Sequence, residues 1–406
     1  LSNIRPEGEY LVHLLSSVIN DKQPQSPPVE LNWEKLYKLS DYHKVSNMVF
    51  YGVKRLNNDN KPPQSIMTKF DKDYKKGIWR ETIQHTEAEQ ILKTFEENCI
   101  LCMPLKGYLI KYLYPQSNMR QMADIDILIM NEQTEQIKKL MSDTDMGFTL
   151  EREGENHDVY YKKPFMNIEI HRRLVSENSP YSDYFHKVWD RAQLKDGCKF
   201  IYRLSNEDQF IYIMAHLAKH YANGGTGIRS IMDIWIYNKH YSDRMDWKYI
   251  QSEFEKINLW EFAKTICGLS DVWFGNKQSN EFYDHMAEFI FTCGVYGTRR
   301  YSIISSINKE ISKCNGSNFK TLKTFKGAKI MYWLQLFFLG QEHMKILYPF
   351  LETKTFLLPV CWMLRGIKCL LFKTKHTFQI IKSAHLVSEA DLSKLQSLHK
   401  KDGLIK

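Results

Sequence analysis

Two acidic residues alternate with branched apolar ones in Asp124-Ile125-Asp126-Ile127-Leu128-Ile129-Met130. On a strand, side chains at i and i+2 point the same way, so Asp124 and Asp126 share a face and can converge on one hard cation. A third carboxylate from a neighbouring strand would complete the cage. Glu169, in Asn167-Ile168-Glu169-Ile170-His171, has the right parity and apolar flanks for that role. Magnesium takes such oxygen donors and keeps waters that give way to phosphates. Two such ions about 4 Å apart can activate a hydroxyl nucleophile and neutralise a departing pyrophosphate during in-line displacement. The chemistry this set of charges suits is phosphoryl or nucleotidyl transfer.

A triphosphate also needs donors. Lys106-Gly107 follows a short apolar run, Cys99 to Leu105, and would place a cation and a glycine amide at the start of a helix, where phosphate is favoured. Arg120, four residues before Asp124, could fork onto phosphate oxygens. His171 shares the face of Glu169 and reads either as a polar strand cap or as a group that orients a carboxylate or touches substrate. His216 and His220 are four apart on one helix face, a spacing that could bind zinc. His216 has no Glu beside it and no third ligand is evident, so packing or substrate lining is expected. Arg229 and Asp233 have the spacing of a helix ion pair. Cys99 and Cys102 resemble a redox C-x-x-C, but on a strand they would face opposite sides, which makes them core filling.

The elements that must position these residues follow from periodicity. Residues 1–98 are expected to be helical: Leu11, Leu14, Leu15 and Val18 fall on one face, PQSPP breaks the chain at 24–28, and Trp33 resumes it. Residues 99–200 form an α/β core, with about four strands before residue 175, including Val159 to Lys162 and Asn167 to His171 on either side of Lys163-Pro164. Residues 201–320 are helical again, from a capped start at Ser205-Asn206-Glu207-Asp208 to about Tyr221, then a helix holding Arg229, Asp233 and Trp235, then segments near 246–274 and 281–312. The last region, 321–406, is basic and apolar. Its stretches Ile330 to Leu339 and Phe356 to Leu364 are too short to span a bilayer and are expected to be buried or interfacial helices. Arg365, Lys368, Lys373, Lys375 and Lys382, interleaved with Leu370, Leu371 and Phe372, could lie on RNA or lipid, or form a solvated amphipathic helix.

Across all 406 residues, 43% are hydrophobic and 25% charged, which excludes a disordered chain, a fibrous repeat and a transmembrane protein. The formal charge of +9 favours anionic partners such as nucleotides, RNA or acidic lipid. Eight cysteines without paired spacings fit a reducing cytoplasm, and Leu1 to Tyr10 shows no apolar run of a secretory signal.

Several blocks in order carry a resemblance. Leu105-Lys106-Gly107, Leu113-Tyr114-Pro115, Arg120 to Ile129, Ile168 to Leu174, His216-Leu217-Ala218-Lys219-His220, and Arg229 with Asp233 are similar to the uncharacterised bacterial nucleotidyltransferase family of the polymerase-beta superfamily. The similarity extends from Trp33 through Tyr348-Pro349 and Leu357-Leu358-Pro359 to Arg365. It implies an α+β fold in which a polymerase-beta-like mixed sheet is embedded in a predominantly helical protein. It further implies two magnesium ions held by Asp124, Asp126 and Glu169. The reaction implied moves a nucleoside monophosphate, AMP foremost, from ATP or another triphosphate to an acceptor hydroxyl. Lys106, Gly107 and Arg120 would grip the triphosphate, and His171, His216, His220, Arg229 and Asp233 would line the substrate cleft. Lys106-Gly107 departs from the Gly-Gly or Gly-Ser usual there, and the 16 residues from Tyr108 to Ala123 exceed the usual gap. A small-molecule acceptor is the first expectation. Transfer to tRNA or protein, as in toxin-like members of the superfamily, and a catalytically silent scaffold are the alternatives.

Overall fold

A computed structural model describes residues 4–143, 146–314, 324–372 and 374–405. The N-terminal helices are α1 (Arg5–Ile19), α2 (Trp33–Tyr42), α3 (Ser46–Arg55) and α4 (Gln64–Glu97). Leu11, Leu14, Leu15 and Val18 of α1 are all buried, as their shared helical face requires. The Pro-rich stretch separates α1 from α2, whose first turn is closed by Asn32, its side chain accepting the Lys35 N–H at 3.0 Å.

The sheet region holds β1 (Cys102–Pro104), α5 (Lys106–Ile110), β2 (Ile125–Ile129), α6 (Thr134–Ser142), β3 (Thr149–Arg152), β4 (His157–Lys162) and β5 (Met166–His171). Its five strands run in the order β1-β2-β5-β4-β3, with β2 and β5 parallel and every other pair antiparallel. One more strand is present than the alternation indicates. The extra strand, β3, is an edge strand whose residues are exposed or half-buried, so it carries no apolar alternation to read. Cys99 also lies outside the expected strand, at a positive φ of 56° just after α4, exposed, whereas Cys102 is buried in β1.

One face of the sheet is core. Ile125, Ile127 and Ile129 of β2 and Met166, Ile168 and Ile170 of β5 pack with Ile91, Leu92 and Phe95 of α4 and with Ile137 and Met141 of α6. By strand parity, Asp126, Glu169 and His171 are forced onto the opposite face. The helix α4 also clamps the sheet region through three glutamates: Glu81 accepts from Lys111 at 3.1 Å, Glu87 from Lys162 at 2.8 Å, and Glu89 from the Tyr108 hydroxyl.

Next come α7 (Ser182–His186), a two-stranded ladder of β6 (Gln193–Leu194) with β7 (Tyr202–Arg203), and α8 (Asn206–Gly224), where Ser205 accepts the Asp208 N–H at 3.0 Å. Then follow α9 (Ile228–Tyr241), α10 (Trp247–Lys256), α11 (Trp260–Phe274) and α12 (Glu281–Cys293). The segment expected near 246–274 is thus two helices, divided at Asn258, which has a φ of 56°. The segment near 281–312 is likewise divided, because Gly294 and Gly297 take positive φ and turn the chain before α13 (Arg299–Cys314). The remaining helices are α14 (Phe325–Phe337), α15 (Gln341–Leu347), α16 (Leu358–Phe372), α17 (Thr374–Leu386) and α18 (Glu389–Lys401). The class is α+β, 66% helical, with no described helix long and apolar enough to cross a membrane.

The chain divides into two compact units: Leu1–Ala218 with Gly227–Val295, and Lys219–Thr226 with Tyr296–Lys406. Within the first, His43 is fully buried between α2 and α3, its Nδ1 accepting the Ile228 N–H at 3.2 Å and its Nε2 facing the Phe291 carbonyl at 3.3 Å. That arrangement needs the neutral ring with the proton on Nε2, since a proton on Nδ1 would confront the Ile228 N–H. Burial pushes the His43 pKa down to about 4. The unfolded chain therefore takes up a proton near pH 6.5 that the folded chain refuses, and the stability present above that pH is lost as pH falls towards 4. Denaturant unfolding of the wild type and His43→Gln across this window should show the wild-type advantage shrinking by roughly 3 kcal/mol on acidification. A pH-independent difference would contradict the assignment.

Candidate active site

The register of the parallel pair places Asp126 directly beside Glu169, and Leu128 beside His171. On the other side, β4 places Val159 opposite Glu169 and His157 opposite His171. Four polar side chains therefore meet on the face opposite that core. His171 Nε2 lies 2.8 Å from Asp126 Oδ1 and 3.4 Å from Glu169 Oε2, while His157 Nε2 is 3.7 Å from the same Glu169 oxygen. The two imidazoles stack, centroids 4.9 Å apart. Among the described residues, Asp126, Glu169 and His171 form a group whose ligand atoms all lie within 4.8 Å of one another.

Lys106, the first residue of α5, enters this cluster from the adjacent strand. Its position is set by the antiparallel pairing of β1 with β2 and by the Leu105 N–H, which donates to the Asp126 carbonyl at 3.0 Å. The ammonium stands 3.3 Å from Asp126 Oδ2 and donates to His216 Nε2 at 2.8 Å. Lysine has no acceptor, so His216 must present a lone pair there. Of the histidine pair on α8, His216 joins the cluster. His220 falls in the second unit.

The charges are tuned by this crowding. Burial alone would raise the Asp126 pKa, but Lys106 and the hydrogen bond from His171 hold it well below the usual carboxylate range. Asp124, half-buried just before β2, goes the other way, raised by burial and by the negative charge of Asp126. Glu169 is lowered by the hydrogen bond from His171. His171 is raised against the effect of burial by its bonds to Asp126 and Glu169, whereas His157 is lowered by burial and by the neighbouring His171 charge. Of the stacked pair, His171 is thus the more basic. Lys106 stays protonated despite burial because Asp126 faces it.

Arg120 stands elsewhere than expected. Its fork closes on Asp233 of α9, with Nε 2.8 Å from Oδ1 and Nη2 2.7 Å from Oδ2, and Nη1 donates to the Gly107 carbonyl at 3.2 Å. Tyr114 adds a hydroxyl donor to the same Asp233 oxygen at 2.7 Å. All three side chains are buried. Gly107 is explained by this neighbour: a Cβ there would sit 2.9 Å from Arg120 Nη1, and the guanidinium, pinned by Asp233, cannot give way. Arg229 reaches the segment before β2, donating to the Gln121 carbonyl at 2.6 Å, and its charge offsets a small part of the rise at Asp124.

Sequence reading passed over His157. The hairpin about Lys163-Pro164 was the available signal, because the pairing of Tyr161 with Asn167 continues to Val159 with Glu169 and His157 with His171. Arg172, beyond β5, is a structural anchor, bonded to Asp158 through Nη1 at 2.9 Å and Nη2 at 3.1 Å.

No curated protein and no solved structure matches this sequence. A family model described as an uncharacterised nucleotidyltransferase matches residues 29–275, more than half of the chain and the whole of the carboxylate cluster with the helices that carry His216, Arg229 and Asp233. The chain belongs to this nucleotidyltransferase family.

Proposed function

We propose that the protein transfers a nucleoside monophosphate, AMP in the first instance, from a triphosphate to a hydroxyl of a small-molecule acceptor. Residues 99–200 would form a transferase core of the polymerase-beta type. The observation that carries this reading is the in-register pairing of Asp126 with Glu169 on neighbouring parallel strands, with Asp124 two residues before. Two adjacent carboxylates, with Asp124 close enough for its charge to act on theirs, suit charge handling at phosphate better than a packing role, since gathering buried like charges is costly.

The donor set fits a divalent cation. Carboxylate oxygens of Asp126 and Glu169 within 4.8 Å of each other are hard donors suited to magnesium. Asp124, Asp126 and Glu169 would hold it. Such an ion, when bound, neutralises phosphate charge and acidifies the acceptor hydroxyl. Lys106 binds phosphate oxygens as a point charge at the rim of the cluster, its side chain 19% exposed. Arg120 acts through Gly107, fixing the backbone that presents Lys106. Glu169 takes the proton of the acceptor hydroxyl as its oxygen attacks the α-phosphorus, and pyrophosphate leaves in line. His171 orients Glu169 and Asp126 through its shared proton.

The test is incubation with each labelled triphosphate, magnesium and a cell extract, followed by fractionation. Label in the small-molecule fraction is expected, strongest from ATP. Label in RNA or protein would reassign the acceptor. No transfer from any triphosphate, together with no nucleotide binding by calorimetry, would sink the proposal.

A further inference from the structure

The second unit ends in helices whose apolar residues are turned outward. On α16, Val360, Met363, Leu364, Ile367 and Leu371 recur at helical spacing on one side, and all are exposed, Met363 at 69% and Leu371 at 67%. That stripe runs about 16 Å along the helix axis. On α14, Ile330, Leu334 and Phe337 form a second exposed stripe with the same spacing. Soluble surfaces carry single exposed apolar residues without consequence, but two continuous stripes mark a surface that meets something apolar.

The stripes are held by fixed contacts. Trp362 Nε1 donates to the Leu339 carbonyl at 2.9 Å, and Arg365 Nη1 reaches the carbonyls of Leu336 and Phe337 at 3.2 and 3.3 Å. Together these tie the end of α14 to the middle of α16. Beneath lies a small core of Met344, Leu351 and Cys361. With that core in place, the stripe residues remain exposed, Phe337 stacking only on Trp333 of its own helix.

Charge decides among occupants. Residues 325–386 contain nine Lys and Arg against two Glu, a surplus of +7 within a chain whose total is +9. Lys326 lies four residues before Ile330, and Lys368 follows Ile367 on the α16 stripe; both are exposed. Joining two copies of this segment would bring two cationic stretches together, so a homodimer is disfavoured. The α16 stripe is aliphatic, suited to acyl chains rather than to stacking on bases. Since no described helix can cross a bilayer, the face would lie on it.

We propose that α14 and α16 form a peripheral membrane-binding surface for anionic phospholipid, with the apolar stripes entering the headgroup boundary and the lysines meeting lipid phosphates. This surface is independent of the transferase reading.

The experiment is co-sedimentation of the full chain with vesicles of phosphatidylcholine alone and of phosphatidylcholine mixed with phosphatidylglycerol. Binding to the mixed vesicles, much weaker to phosphatidylcholine and weakened by added salt, is the expected result. The pair Met363→Ser with Ile367→Ser should reduce partitioning about tenfold or more. The pair Lys326→Glu with Lys368→Glu should do so by removing the phosphate contacts. These positions are exposed, so unchanged thermal unfolding checks that the variants are folded. Asp126→Asn should bind vesicles like the wild type, which separates this proposal from the catalytic one. Failure to sediment with the mixed vesicles would overturn the proposal, as would both paired variants binding like the wild type. A dimer in solution that Ile367→Glu dissociates would also overturn it, assigning the face to a second copy.

Discussion

Replacing Asp126 by Asn should lower nucleotidyl transfer about a thousandfold, equivalent to about 4 kcal/mol of transition-state stabilisation, while leaving the fold intact. The shape of the side chain is kept, and an amide oxygen can still accept from His171 as Oδ1 does at 2.8 Å. What disappears is the charge that faces Lys106 and stands beside Glu169 in the parallel pair. Lys106 retains His216 as a partner and Asp124 as a nearby negative charge, so the loss should not unfold the site. The measurement is the initial rate of label transfer from the triphosphate, paired with a thermal melt. Wild-type rates in a folded Asp126→Asn protein would remove the cluster from the reaction.

The second large effect is on stability. Asp233→Ala should cost about 3–5 kcal/mol, because it leaves the buried Arg120 guanidinium without its counter-charge. Tyr114 loses its acceptor in the same step. Burial by itself disfavours the Arg120 cation, and the facing Asp233 charge offsets that cost. The double replacement Arg120→Leu with Asp233→Leu should recover much of the loss, since neither charge is then stranded. Denaturant midpoints of the single and double variants give the comparison. A cost of Asp233→Ala below about 1 kcal/mol, the range of an exposed pair, would mean that the guanidinium is not isolated from water.

The acidic strand was legible because a period of two is unambiguous when every alternate residue is Ile. The Ile125, Ile127 and Ile129 set must enter the core, and Asp126 is then forced out on the other face. Glu169 followed by the same argument, and the helical stretches at either end followed from their apolar spacing and from caps such as Asn32 and Ser205. The Asp233 partnership was not legible. Arg229 stands four residues from Asp233, so a local helix pair satisfies the sequence, yet the structure joins Asp233 to Arg120, 113 positions away. No spacing rule reaches that far. Gly107 was read through the amide it could offer a ligand, whereas the chain cannot announce that Arg120 will press against its Cα. His157 opens β4 ahead of any apolar residue, so its strand reads as starting two residues later.

The separation of 113 residues between Arg120 and Asp233 bears on how the protein can be dissected. The sheet with its acidic strand is complete by His171, yet the arginine that braces the turn before β2 has no anion until α9 has been synthesised and docked. A fragment cut after β7 would carry every carboxylate of the cluster but would lack His216 and leave a bare guanidinium in its interior. The sheet region is therefore no portable module. Excised from the helices that follow, it is expected to collapse as a sheet around a disorganised loop, which sets the minimum stably folded piece at α9 or beyond.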